Sequence, residues 1–464
     1  MAGDESKCEK HSASSSNQNP GLGCDIWQPA AKTNFNSHVK TTAANETGTA
    51  VVDSSGTLLA LKLDSPFKLA APKDLGARDQ GARNGTHLTD IKGLVDYIKT
   101  NFATIDTDGN HLIDKLEIEK AITDPKLDSN QALAAAFLYY YRNSLAKDSA
   151  TLSADGLNAL TKPDFEAKAQ RTLDKLIKKE QLGPNLFPEQ SITPESIIQG
   201  AFGDCKFVST LSAFAAKPDS DEKLRQMIQS NPDGSYTVKF PGDLGHPVKV
   251  GALTLGEKMI GSSSSDDAMF VSVLEKAYGQ YRNDKRTSLD GALNGIIETG
   301  KNALHEGRFS PNSLIKAEAA NDGDRDNDAM KLLTGRDSET VSLPKNNPGY
   351  NHLLAAIAQP AEVEIANALK NHKAVTLGLN PGDPSLVFAT IPGENGAASE
   401  RKAITVHANH SYSVIGYDHN LVTIYDAHGS LSGKDNEFLP GTNGKFQIRL
   451  DQLKYYFSGV SIED

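Results

Sequence analysis

The heptapeptide QGAFGDC at residues 199–205 places Cys205 directly after a glycine-rich turn and six residues after Gln199. Apolar residues recur on one face of the segment that follows, and Pro218 ends it, so the pattern predicts a helix over residues 206–217. We therefore expect Cys205 at a helix N-terminus, where the helix dipole favours the thiolate. A thiolate attacks carbonyl carbon, and the Gln199 amide is a suitable donor to the oxyanion that results. The alternative is a small buried cysteine without chemistry.

A histidine and a carboxylate that can complete such a site lie far downstream. Residues 410–417 alternate as a strand does, beginning at His410. A second strand is predicted at residues 421–425 and leads directly into Asp426. A cysteine early in the chain and a His/Asp pair later is the order of papain-like catalysis. The alternative is that His410 is a structural histidine at the end of a strand.

These segments resemble the calpain family of cysteine proteases, whose cysteine block reads roughly QGxLGDCWLL and whose histidine block reads GHAYSVTG. The resemblance spans residues 190–464, about six tenths of the chain. The cysteine and histidine blocks are specific, and the others support them. The matching blocks are QGAFGDCKFV at 199–208, LEKAY at 274–278, NHSYSVIG at 409–416, and NGKF at 443–446 followed by the segment 450–457.

The resemblance implies an α+β chain with a papain-like core of two parts, one helical and one β-rich, and an active site in the cleft between them. It implies that Cys205 is the nucleophile of a cysteine endopeptidase that hydrolyses protein or peptide substrates. His410 would take the thiol proton and Asp426 would orient His410. The side-chain amide of Gln199 and the backbone N–H of Cys205 would hold the oxyanion.

Three positions depart from the family pattern. Lys206 stands where the family has a tryptophan after the cysteine, and His428 stands where it has a second tryptophan. The resemblance implies that these rings shield the active site, so their absence leaves turnover and substrate choice open. Asp426 replaces the usual asparagine, and an aspartate can orient an imidazole as well. Lys206 either lowers the pKa of Cys205 by proximity or is simply solvated.

Residues 106–117 match the twelve-residue EF-hand loop, which wraps oxygen ligands around one point. Calcium is a hard cation that takes six to eight oxygens, so the spacing predicts Ca2+ as a cofactor. His111 stands where glycine is usual, at a position that needs a positive φ. The alternative is an acidic helix–loop–helix that binds nothing. The predicted ligands, the fourth through its backbone carbonyl, are Asp106, Asp108, Asn110, Leu112, Asp114 and Glu117.

A degenerate second EF-hand is predicted after the first. Residues 132–145 and 163–178 have helical patterns, and residues 153–161 are the predicted loop between them. This loop has too few carboxylates for calcium, so we expect a structural partner only. The acidic stretch at residues 322–328 lacks a glutamate at the twelfth loop position and is interpreted as a solvated loop.

Composition restricts the partners and the location. The chain has 464 residues, a net charge of −11 and a pI near 5.6, which argues against nucleic acid or anionic membranes as main partners. It has three cysteines, and Cys8 and Cys24 lie in a polar tail, so we expect no disulfide framework. No apolar run is long enough to span a membrane, and the first 16 residues lack the apolar core of a secretory signal. We expect a cytoplasmic protein, or export by another route.

Composition also divides the chain into segments. Residues 1–85 are rich in small polar residues and are predicted to be a disordered or loosely packed leader. Residues 86–182 are the EF-hand-like domain, and Gly183-Pro184 begins a linker. Residues 183–464 are the protease-like domain, with a helical part at about 186–340 and a β-rich part at about 341–464. The helical part includes a predicted strand pair at 236–240 and 248–250.

Two other functions remain open. The same Cys/His/Asp set permits acyl transfer to an amine, as in transglutaminases, although the QGxxGDC block argues against it. A catalytically weak, calcium-responsive binding protein on a protease scaffold is suggested by the two missing tryptophans. A zinc site at His407, His410 and His428 is disfavoured, because a three-residue offset on a strand points two rings to opposite faces.

Overall fold

The computed structural model describes residues 49–52, 58–62, 88–145, 151–181, 183, 185–287, 326–343, 361–379, 385–393, 398–433, 438–439 and 442–464. These residues combine helices with antiparallel sheets, which confirms the predicted α+β class. Within the predicted leader, β1 (Thr49–Val52) and β2 (Leu58–Lys62) form an antiparallel pair. The rest of the leader, with Cys8 and Cys24, and most of the acidic stretch at 322–328 lie outside the described residues. In the described part of the chain, no helix is long and apolar enough to cross a membrane.

A helical module follows from residue 88 onward. Asp90 caps its first helix by accepting a 2.8 Å hydrogen bond from the backbone N–H of Gly93. The apolar face of this helix points inward, and Ile91, Leu94 and Ile98 are fully buried. The helices of the module are α1 (Ile91–Thr100), α2 (Phe102–Ile105), α3 (Lys115–Ile122), α4 (Ser129–Leu145) and α5 (Pro163–Glu180), with a 3-10 helix at Gly156–Thr161 before α5.

A second helical part contains the cysteine segment. Its first helix begins at Cys205 and ends at Ala215, two residues before the predicted end. The predicted strand pair is present and gains a third strand. The elements are β3 (Ile197–Ile198), α6 (Cys205–Ala215), α7 (Ser220–Met227), β4 (Ile228–Ser230), β5 (Tyr236–Val238), β6 (Val248–Val250), α8 (Leu255–Ile260), β7 (Ser263–Ser264), α9 (Phe270–Thr287) and α10 (Asp326–Thr334).

The C-terminal part is a ten-stranded antiparallel sheet with the strand order β15-β14-β11-β10-β16-β13-β12-β9-β17-β8. Its edge strand β8 begins at residue 338, a little before the predicted start of the β-rich part. The elements are β8 (Ser338–Ser342), α11 (Ala361–Lys370), β9 (Val375–Gly378), β10 (Ser385–Ile391), β11 (Glu400–Val406), β12 (Ser411–Asp418), β13 (Leu421–Tyr425), β14 (Leu431–Gly433), β15 (Phe438–Leu439), β16 (Lys445–Arg449), α12 (Leu453–Tyr456) and β17 (Gly459–Glu463).

The helical module packs against the part of the chain that follows the linker. Phe202, from the turn before α6, lies in the same buried cluster as the module's helices, together with Met259 and Ile260 of α8. The Thr254 hydroxyl, which caps α8, also donates a 2.6 Å hydrogen bond to the carbonyl of Ile122 at the end of α3. The cysteine turn is therefore supported by the helical module on one side.

Candidate active site

Helix α6 places Cys205 at its first position and packs along strand β12. The Ser209 hydroxyl donates to the Ser411 hydroxyl at 2.8 Å, and the Ser413 hydroxyl donates to the backbone carbonyl of Ser209, also at 2.8 Å. These buried bonds hold the cysteine helix against the strand that follows His410. Cys205 forms no disulfide with another described residue, and it is only 3% exposed.

A left-handed residue brings His410 to the cysteine. Asn409 has φ 54°, a conformation that asparagine adopts more readily than most residues, so the chain turns sharply before β12 begins. The Sγ atom of Cys205 lies 3.9 Å from the carbonyl oxygen of Asn409. His410 is 2% exposed, and its imidazole interacts with the Cys205 side chain.

Asp426 meets the same imidazole from the end of β13. Its Oδ1 atom lies 3.1 Å from Nε2 of His410, and its own backbone N–H donates to Gly444 at 2.9 Å. Because Nε2 is engaged by the carboxylate, Nδ1 is the ring nitrogen left to exchange a proton with Cys205. Cys205, His410 and Asp426, predicted from segments more than two hundred residues apart, therefore lie together.

The electrostatics of the three groups favour a charged imidazole. Burial alone lowers the pKa of His410, but attraction to Asp426, the Asp426 hydrogen bond and the Cys205 thiol outweigh it and raise that pKa to about 10. Burial would raise the pKa of Asp426, yet attraction to His428 and His410 holds it well below its usual range. An imidazolium beside an ionised carboxylate is the environment in which a neighbouring thiolate is stabilised.

Gln199 lies beside this group, and part of its amide is already used. Its backbone N–H donates to Ala427 at 2.7 Å, which joins the cysteine turn to the turn after Asp426. Its side-chain Nε2 donates to the carbonyl of Phe202 at 2.8 Å. An amide nitrogen carries two hydrogens, so one N–H of Gln199 is left for a developing oxyanion.

A buried carboxyl pair beneath the cysteine was not predicted. Asp204 is 1% exposed, and among the described residues no donor reaches either of its side-chain oxygens. Burial and the neighbouring Glu275 raise the pKa of Asp204 well above its usual value. Glu275 accepts from the backbone N–H of Ser262 at 2.9 Å and from its hydroxyl at 2.5 Å. Asp204 is thus best satisfied as a neutral acid that donates to Glu275, and a neutral Asp204 does not oppose a thiolate at Cys205.

The zinc alternative names His407, His410 and His428, but the ligand atoms that converge belong to His410, Asp426 and His428 and not to His407. His407 meets His428 edge-on, with ring centroids 6.5 Å apart. Ligand atoms of His410, Asp426 and His428 do lie within 4.8 Å of one another. The two rings are both hydrogen-bonded to Asp426 Oδ1, at 3.1 Å and 2.9 Å. Hydrogen bonds to one Asp426 oxygen therefore account for the positions of these two rings.

Three of the six predicted ligands of the EF-hand loop bring their side-chain oxygens together. Carboxylate oxygens of Asp106, Asp108 and Glu117 lie within 4.8 Å of one another. His111 has φ 63°, the positive value that the sixth loop position needs. Asp114 caps α3 by accepting from the backbone N–H of Glu117 at 2.9 Å, and Glu117 accepts in return from the Asp114 N–H at 3.0 Å.

Other contacts hold the loop in its curved form. The side chain of Asn110 accepts from the backbone N–H of Leu112 at 2.8 Å, and Leu112 is 37% exposed. Ile113 pairs with Leu152 through two backbone hydrogen bonds of 2.7 and 2.8 Å. The partner segment thus meets the loop at Leu152, one residue before the predicted second loop, most of which is the 3-10 helix.

Comparisons with known proteins do not bear on this site. No model of a protein family matches the chain, and no curated protein matches it. The chemistry of the site follows from three groups in contact: the buried thiol of Cys205, the imidazole of His410 and the carboxylate of Asp426.

Proposed function

We propose that this chain is a calpain-like, papain-type cysteine endopeptidase that hydrolyses peptide bonds of proteins. The single observation that carries the proposal is the His410 imidazole, bound through Nε2 to the Asp426 carboxylate and turned with its other side to Cys205 at a helix N-terminus. This order of groups is what thiol-based acyl transfer requires. The sequence blocks that resemble calpains support the same reading.

The residues supply each step of the reaction. The Cys205 thiolate attacks the peptide carbonyl carbon, and the carbon–oxygen double bond becomes an oxyanion held by N–H groups of Gln199 and Cys205. The oxyanion collapses, the carbon–nitrogen bond breaks, and the His410 imidazolium gives its proton to the leaving amine. A thioester to Cys205 remains. Neutral His410 then takes a proton from water, whose oxygen attacks the thioester and releases the carboxylic acid and the thiolate.

A labelling experiment separates this proposal from the two alternatives. An epoxysuccinyl probe, which alkylates activated thiolates, should label Cys205 in the full chain, because the thiolate is stabilised by the His410 imidazolium. Mass spectrometry locates the label, and Cys205→Ala is the control. Absence of labelling would favour a binding protein on a protease scaffold. Incorporation of a primary amine into peptide substrate, in preference to hydrolysis, would favour an acyl transferase.

We also propose that the loop at residues 106–117 binds one Ca2+. The donors fit a hard cation, since the cluster consists of carboxylates and the left-handed His111 gives the loop its sharp turn. Asp106, Asp108, Asn110 and Glu117 would hold the ion with side-chain oxygens, and Leu112 with its carbonyl. Asp114 would act at the ninth position, in many loops through a water molecule. A bound cation would neutralise the loop carboxylates.

Glu117→Ala should remove most of the calcium affinity, because this residue is the expected bidentate ligand. We expect at least about a tenfold weaker Kd by calorimetry of the full chain. The full chain is required, since Phe202, Met259 and Ile260 belong to the core of the helical module. Glu166→Ala, on the exposed side of α5, is the matched control and should bind as the wild type does. Equal affinity of the two variants, or no heat at millimolar calcium in the wild type, would refute the site.

A further inference from the structure

The imidazole of His428 stacks on the imidazole of His410. The ring centroids are 4.4 Å apart and the ring planes differ by 17°, so the rings are stacked. His428 lies in the tight turn after β13, which Gly429 completes with φ 71° and with a backbone hydrogen bond of 3.0 Å to the carbonyl of Asp426. The side chain of His428 is 20% exposed.

Both rings end on one oxygen atom. Oδ1 of Asp426 lies 3.1 Å from Nε2 of His410 and 2.9 Å from Nδ1 of His428, and it also accepts the backbone N–H of His428 at 2.9 Å. An ionised carboxylate oxygen only accepts, so His428 must carry a proton on Nδ1. Nε2 of His428 is buried and has no hydrogen-bond partner in the described part of the chain. Among the described residues, the His428 ring therefore hydrogen-bonds to Asp426 alone, through Nδ1.

We infer that His428 is a positioning residue that fixes Asp426 and, through it, the ring of His410; this inference rests on the proposed peptidase function. Two donors from His428 hold Oδ1 in one place, and His410 keeps its orientation by bonding to that oxygen. If the Asp426 carboxylate could rotate, the His410 imidazole would lose its fixed orientation, and the rate of the proposed reaction would fall. The His428 donors also draw on the carboxylate's charge, so they lower the pKa of His410 relative to an unshared Asp426.

Few ionisable groups share this environment. The titratable side chains that the structure shows against the His428 ring are Asp426, the stacked His410 and the edge of His407. Within the described residues, the hydrogen bonds of the His428 side chain go to Asp426. Donation from Nδ1, and not charge, is therefore the property to test.

Two substitutions separate the hydrogen bond from the stack. His428→Phe keeps a flat ring over His410 but loses the Nδ1 donor, whereas His428→Asn keeps a side-chain donor near the Nδ1 position and loses the ring. We expect kcat/KM to fall about tenfold in the phenylalanine variant and to stay within about threefold in the asparagine variant. The alkaline limb of the pH–rate profile should move to higher pH in the phenylalanine variant and return in the asparagine variant. His419→Asn, an exposed histidine on the β12–β13 turn, is the control for loss of a histidine.

The outcomes are distinguishable from failure of the proposed function. A phenylalanine variant as active as the asparagine variant, or more active, would overturn the inference in favour of stacking. If the phenylalanine variant fails to fold by circular dichroism, His428→Ala replaces it, and equal rates of the alanine and asparagine variants would overturn the inference. Alkylation of Cys205 by iodoacetamide against pH follows the thiolate–imidazolium pair without any peptide. A wild type that hydrolyses nothing therefore refutes the peptidase, while the alkylation profiles still decide the role of His428.

Discussion

Cys205→Ala should abolish peptide hydrolysis and leave the fold intact. Cys205 supplies the only thiol in the candidate site among the described residues, and without it no thioester forms. We expect kcat to fall by a factor on the order of 10⁴ or more, which is typical of removing a nucleophile. Alanine is smaller than cysteine and suits the first turn of α6, so the free energy of unfolding should change by about 1 kcal/mol.

The measurement is hydrolysis of one fluorogenic peptide, with circular dichroism of both proteins. Cys205→Ser is a useful second variant, because a hydroxyl keeps the shape of the thiol while its pKa is far too high for His410 to ionise it. Both variants should be inactive and folded. Full activity in either variant would refute the cysteine-peptidase proposal. If Cys205→Ala is inactive because it is unfolded by circular dichroism, the test rests on Cys205→Ser alone.

Asp426→Ala should lower kcat/KM about a hundredfold or more, whereas Asp426→Asn should stay within about tenfold, roughly 1.4 kcal/mol of barrier. Alanine leaves the His410 ring without its acceptor. Asparagine offers a carbonyl oxygen of similar position, and the donors that converge on Oδ1 from His428 would select the orientation that places oxygen there. Equal performance of alanine and aspartate would show that a different residue orients His410.

The asparagine variant should also change the pH dependence. The negative charge of Asp426 stabilises the protonated ring and raises the pKa of His410 to about 10, together with Cys205. Removing that charge removes part of the stabilisation, so the pKa of His410 falls. If the alkaline limb of the pH–rate profile reports loss of the imidazolium proton, that limb moves to lower pH in Asp426→Asn. An unchanged limb would mean that another group titrates there.

Local patterns predicted the features that depend on neighbours in sequence. The start of α6 at Cys205, the strand at 421–425 and the positive φ of His111 each follow from residues within one turn or one loop. The approach of Cys205, His410 and Asp426 was predicted from family resemblance. The strand order that brings these residues together cannot be predicted from the periodicity or spacing of residues in the chain.

Other features could not be predicted because they depend on partners remote in sequence. Burial and the neighbouring Glu275 raise the pKa of Asp204, and the role proposed for His428 depends on the position of one Asp426 oxygen. Gly183-Pro184 has the composition of a linker, but burial of Phe202 among the helices of the module is decided by side-chain packing. A carboxylate directly before a candidate nucleophile, in an apolar context, was the one available signal for Asp204.

The shared core around Phe202 has a consequence for local unfolding. The backbone N–H of Ala201 donates to Ile260 at 2.7 Å, and a methyl group on Gly200 would lie only 2.3 Å from the backbone of Gly261. The turn before Cys205 therefore packs closely against the end of α8, and α8 packs in turn against the helices at 91–145. Opening those helices would therefore expose apolar surface and release the turn before Cys205 in the same event. We therefore expect the free energy of opening the turn before Cys205 to equal that of opening the helical module. A fragment that begins at the linker would lack part of the core that this turn packs against.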